Sequence, residues 1–102
     1  MLDLVIRGGQ VVTPMGVGEW DVAVQGEKIV AVAAPGALPD EAGRVIDAKG
    51  MEVVPGGIEP SAHISAPIMG HGDLKTAPPD EVSRAALIGG TTMLMDFAIQ
   101  YP

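Results

Sequence analysis

The run Val53-Val54-Pro55-Gly56-Gly57-Ile58-Glu59-Pro60-Ser61-Ala62-His63 is apolar and glycine-containing, and it ends on an imidazole. Read as a strand over Gly57 to His63, it places Ser61 and His63 on the same side, because side chains two positions apart share a face. An imidazole at the tip of a strand is a first-rate ligand for a divalent ion. It can equally be a hydrogen-bonded side chain with no metal nearby. The second histidine, His71, sits between Gly70 and Gly72. It is either a loop residue able to swing in as a substitute ligand or substrate contact, or an exposed histidine. Asp96 falls near the end of another apolar run, Thr91 to Ala98. Carboxylates behind a histidine orient its ring, so Asp96 is a candidate for that role. The other reading is a buried carboxylate bonded to backbone. Lys75 reads as a surface charge, Asp40, Glu41 and Glu81 as solvated acids, and Trp20 as a residue packed on a sheet face.

The elements that would carry these residues fall into two regions. From Leu2 to Val54 the chain shows short β-rich runs, Leu2 to Arg7, Gln10 to Thr13, Trp20 to Val24, Ile29 to Ala33, Arg44 to Asp47 and Met51 to Val54. Glycine, proline and polar residues separate them: Gly8-Gly9 as a turn, Pro14 to Gly18 as a loop, Gln25 to Lys28 as a hairpin turn, Pro35 to Gly43 as a second loop. This predicts a small antiparallel sheet, part of a sandwich. After Pro55 the character changes. Gly57 to His63 reads as a buried strand, and a long irregular loop, Ile64 to Pro78, follows it. A helix begins at Pro79-Asp80-Glu81, with acids in its first turn where the helix dipole favours them. Val82, Ala85, Ala86 and Gly89 share one face, and Gly89-Gly90 closes it. Thr91 to Ala98 then reads as a strand buried on both faces. Strand, helix and strand at this spacing make one βαβ unit with a right-handed crossover.

Composition narrows the function classes. The chain has 102 residues, is 47% hydrophobic and only 3% aromatic, so its core must be aliphatic and small. Its net charge of −7 leaves no basic stripe for nucleic acid and no attraction to anionic membranes. There is no cysteine, hence no disulfide and no thiolate metal site. Neither a signal peptide nor a membrane span is visible. A soluble, acidic, cytoplasmic protein is expected.

Taken in order, these pieces resemble the hydantoinase and dihydropyrimidinase branch of the amidohydrolase superfamily. Leu4-Val5-Ile6-Arg7-Gly8-Gly9, Val11-Val12-Thr13-Pro14, Asp21 to Val24, Lys28 to Val32, Val45 to Gly50 and Val54 to Ile58 are similar to that family's amino-terminal text. Gly89-Gly90-Thr91-Thr92 and Asp96-Phe97-Ala98 resemble the end of its first barrel helix and its second barrel strand. The resemblance implies an α/β fold, the start of a (β/α)8 TIM-type barrel preceded by strands of a small β-sandwich. It divides the chain into 1–54, an incomplete composite sandwich, and 55–102, the first β-α-β unit of the barrel. A barrel of this type needs roughly 250 residues. The remainder must come from a second chain or from missing polypeptide, and the chain alone should be unstable or aggregation-prone.

The resemblance also implies chemistry. In the family the first barrel strand ends in His-x-His, and both imidazoles bind a catalytic metal. One or two ions, usually zinc, are completed by a carbamylated lysine, further histidines and an aspartate, and a metal-bound hydroxide opens a cyclic amide ring. His63 matches the second histidine; Ser61 stands in place of the first, and Glu59 where aspartate is usual. A neutral hydroxyl is a poor zinc ligand. Two expectations follow. In one, the chain is the amino-terminal segment or small subunit of a metal-dependent cyclic amide hydrolase, oligomeric when complete, with the other ligands outside these residues. In the other, it is a structural or regulatory subunit that has lost its metal. A free-standing β-rich binding module is weaker, because it leaves the βαβ unit without a partner layer.

Overall fold

A computed structural model describes residues 1–97 of the chain. It comprises mostly β-strands with one helix, and it divides into a unit spanning Met1–Pro55 and a second beginning at Gly56. No helix among the described residues is long and apolar enough to cross a membrane.

The first unit is a five-stranded sheet built around β1 (Leu2–Thr13). On one side β1 pairs antiparallel with β2 (Gly16–Gln25), which pairs antiparallel with β3 (Lys28–Ala33). On the other side it pairs in parallel with β4 (Ala42–Asp47) and then β5 (Glu52–Val53). The sheet is therefore mixed, not antiparallel as expected from the close spacing of its strands. The difference arises after β3, where the loop of residues 34–41 carries the chain back to the far side of β1.

Gly8-Gly9 does not turn the chain, and residues 2–13 form one strand. The register runs Ile6↔Val22 and then Gly9↔Trp20, so Arg7 and Gly8 stand opposite the single residue Asp21. That is a β-bulge, and Gly8 supplies its positive φ of 77°. The sheet needs Asp21 there. Its side chain is only 3% exposed. It accepts the Gly8 N–H at 3.2 Å and the Gly36 N–H at 2.9 Å, and it pairs with the Arg7 guanidinium at 3.4 Å. Arg7 reaches on to the Pro39 carbonyl at 2.7 Å, pinning the loop that leads to β4. The core beside this cluster is small and aliphatic: Val5, Val11, Val22, Ala23 and Ala48. The β2–β3 hairpin turns at Gly26-Glu27, inside the expected Gln25–Lys28 turn, and the Gly26 N–H donates to Asp3 at 2.6 Å. The expected loop 14–18 shrinks to a turn at Pro14-Met15, because Gly16, Val17 and Gly18 pair with Thr13, Val12 and Val11.

The second unit is strand, helix, strand. β6 (Gly57–Ala62) and β7 (Thr91–Asp96) are parallel, joined through α1 (Pro79–Ile88). Proline at the first helical position and Asp80 and Glu81 in the first turn start α1; the Gly89 N–H closes it on the Ala85 carbonyl. Val82, Ala85 and Ala86 line a cavity of about 580 Å³ with Leu94, Thr91, Ala77, Glu59 and Glu81. The chain entering β6 comes so close to β7 that a Cβ on Gly56 would overlap the side chain of Thr92. Neither strand is buried as expected: Ile58 is 61% exposed, Met93 54% and Met95 52%, and only Ala62 of β6 is buried. Among the described residues a two-stranded ribbon has one short helix as cover, and such a ribbon cannot bury two faces. The expected strand to Ala98 ends at Asp96, and Ala98 lies outside the described residues.

Two outcomes follow for stability. Asp21→Ala leaves two backbone donors and a half-buried guanidinium without their acceptor, so urea unfolding of the first unit should show a loss of about 1–3 kcal/mol. Gly8→Ala, which forces a Cβ onto positive φ, should cost about 1–2 kcal/mol in the same experiment.

Candidate functional site

Because β6 and β7 run in parallel, their carboxyl ends lie at the same end of the ribbon, and Ala62 is in register with Asp96. His63 follows β6 directly and Phe97 follows β7. Their rings stack, with centroids 5.0 Å apart and planes at 22°. Asp96 Oδ1 accepts two backbone N–H groups, from Phe97 at 2.8 Å and from Ile64 at 3.1 Å. Its carboxylate makes no hydrogen bond to the His63 imidazole among the described residues. It acts on the chain beside the histidine, and it is exposed, not buried.

The Ile64–Pro78 segment is not the irregular loop its composition suggests. Ser65, with φ of 47°, bends the chain out of β6. The segment then folds back on itself as a short arm: Ser65 N–H donates to Ala77, Thr76 N–H to Ala66 and Ile68 N–H to Leu74, with Pro67 and Lys75 bridged antiparallel. Thr76 closes the base of the arm. Its hydroxyl donates to the His63 carbonyl at 2.6 Å and accepts the Ala66 N–H at 2.8 Å. His71 lies at the tip, exposed, its backbone N–H on the Ile68 carbonyl at 3.1 Å. Met69 (84% exposed) and Leu74 (60%) flank it.

Position 61 carries no metal-binding group. Pairing between β6 and β7 is irregular from Glu59 to Ala62, and the Ser61 N–H freed there donates to Glu59 Oε1 at 2.9 Å. Glu59 is thus tied to its own strand. No group of three or more His, Cys, Asp or Glu converges among the described residues in a way that could hold an ion. His63 alone does not make a metal site, so these residues by themselves do not fit the ion that the family resemblance implies. Sequence reading passed over Thr76, which belongs to no motif, and Phe97, noticed only as a neighbour of Asp96. The Arg7–Asp21 pair was also unseen, since 14 residues separate its members.

No protein-family model matches the chain. It is 40% identical over 99 residues to the D-hydantoinase of Streptomyces coelicolor, a match covering 94% of this chain and 21% of that protein. The dihydropyrimidinase of Brevibacillus agri superposes with a TM-score of 0.83 at 36% identity, over 99% of this chain and 21% of that one. A shorter match, 63% of this chain and 14% of the other at 33% identity and a TM-score of 0.55, is to an N-acyl-D-glutamate deacylase from Bordetella bronchiseptica solved with zinc and a phosphonate inhibitor. The chain spans about a fifth of the length of the hydantoinase and dihydropyrimidinase relatives it matches. It belongs to the hydantoinase and dihydropyrimidinase family of the amidohydrolase superfamily, and corresponds to the amino-terminal part of that family's chains.

Proposed function

We propose that this chain supplies the amino-terminal segment of a metal-dependent cyclic amide hydrolase, one that opens hydantoin-like, dihydropyrimidine-like or imide rings. In this reading the first sheet is part of a β-sandwich, and β6–α1–β7 begins a (β/α)8 barrel completed by further polypeptide. One observation carries the reading. The imidazole of His63 stands at the carboxyl ends of two parallel strands, the face on which barrel enzymes build their sites, in a chain matched nearly end to end by hydantoinases. His63 would be one ligand of a zinc or similar ion, the others coming from outside these residues. Bound metal in such enzymes lowers the pKa of its water and polarises a carbonyl. The exposed strand faces of the second unit, Ile58, Met93 and Met95 among them, support a missing cover of apolar elements.

A second reading has its own observation. Ser61 offers no imidazole, and its backbone N–H is already taken by Glu59. On this reading the chain is a structural or regulatory part of such an assembly and binds no metal.

A chimera separates the two. This chain replaces the matching segment of the Streptomyces coelicolor D-hydantoinase, and hydantoin ring opening is assayed. The enzyme reading predicts measurable hydrolysis with Ser61, a rise of about 10- to 100-fold in Ser61→His, and loss in His63→Ala. An assembled chimera that stays inactive both as Ser61 and as Ser61→His would sink it.

A further inference from the structure

The peptide joining His63 to Ile64 is held from both sides. Its carbonyl accepts the Thr76 hydroxyl at 2.6 Å, and its N–H donates to Asp96 at 3.1 Å. A peptide is a rigid plane, so holding both its polar groups restrains the backbone after His63, while Ala62, in register with Asp96, restrains the backbone before it. The direction of the His63 Cα–Cβ bond is set by the two restraints together. The ring then lies against Phe97, which itself follows Asp96 and gives that carboxylate its second N–H. These holding groups come from the base of the arm and from the end of β7.

We infer that Thr76 and Asp96 are positioning residues, a two-sided clamp on the His63–Ile64 peptide that holds the imidazole in one direction before any ligand arrives. The inference rests on the reading of His63 as a site residue and names what aims it. Thr76 is the sharper of the pair. One hydroxyl both donates to the His63 carbonyl and accepts from Ala66, so the arm cannot shift without moving the histidine. Sites of this kind work only when the acting group is held to within about 0.5 Å by its surroundings.

The test has two arms. In the first, amide hydrogen exchange of the assembled hydantoinase chimera is followed by mass spectrometry. Thr76→Val and Asp96→Ala should each speed exchange at Ile64 by roughly fivefold, the factor for one lost hydrogen bond. Exchange at Val5 in the first unit should stay the same. Thr76→Ser, which keeps the hydroxyl, should leave Ile64 as slow as in the unaltered chimera. In the second arm the same substitutions are placed in the Ser61→His hydantoinase chimera. Thr76→Val should lower kcat by about 10- to 100-fold with KM little changed, and Thr76→Ser should restore it. Ile64 exchange that is identical in all variants overturns the clamp, as does an unchanged kcat in a working Thr76→Val chimera. A chimera inactive before any clamp substitution tells against the hydrolase reading alone, and the exchange result then decides the clamp.

Discussion

One carboxylate joins the ends of β6 and β7. Parallel strands cannot be linked by a tight turn, so the groups that meet at their carboxyl ends are distant in sequence. Ile64 and Asp96 are 32 residues apart, and the bond from the Ile64 N–H to Asp96 fixes one end against the other. What makes the second unit interesting is referred to that bond. The departure of the arm at Ser65, the closure by Thr76 and the stacking of His63 on Phe97 all lie within a few residues of it. Without it, His63 would sit at the tip of an exposed two-stranded ribbon held only by the Thr76 hydroxyl and an aromatic neighbour.

The same device appears at three places where regular pairing breaks or ends. At the β1 bulge, Asp21 takes the Gly8 N–H; in the irregular stretch of β6, Glu59 takes the Ser61 N–H; at the end of β7, Asp96 takes those of Ile64 and Phe97. At each of these three places an acid close by takes the backbone donors. At the bulge the freed donor is part-buried, and there an N–H left alone costs more than a hydrogen bond gains, so Asp21 decides where that irregularity can sit. Irregularity is also what aims side chains. The bulge brings Arg7 and Asp21 together, and the break in β6 settles what position 61 presents.

Much of this was legible in the sequence. The strand runs, the Gly26-Glu27 turn, the helix start at Pro79 and its end at Gly89 follow from local chemistry, because turn residues and helix caps act within a few positions. His63 could be picked out as the tip of an apolar run. Three kinds of feature were not legible. Gly8-Gly9 has the composition of a turn, and only the register against β2 makes it a bulge. The parallel pairing of β4 with β1 depends on which edge the chain returns to, and no local pattern encodes that. Thr76 has no motif; its importance comes from a peptide 13 residues earlier. The apolar run of β7 signalled the strand but not its exposure, since the described residues supply cover on part of one face.

Ser61 concentrates the functional question. The proposed metal site lies beside His63, and the residue two positions before it is a poor ligand. The direct measurement is metal content, by mass spectrometry, of the protein isolated with whatever co-purifies, beside its Ser61→His and His63→Ala variants. The account predicts a divalent metal in the unaltered protein, more of it in Ser61→His, and its loss in His63→Ala. No metal in either the unaltered protein or Ser61→His would contradict it, leaving a chain that serves assembly and not chemistry.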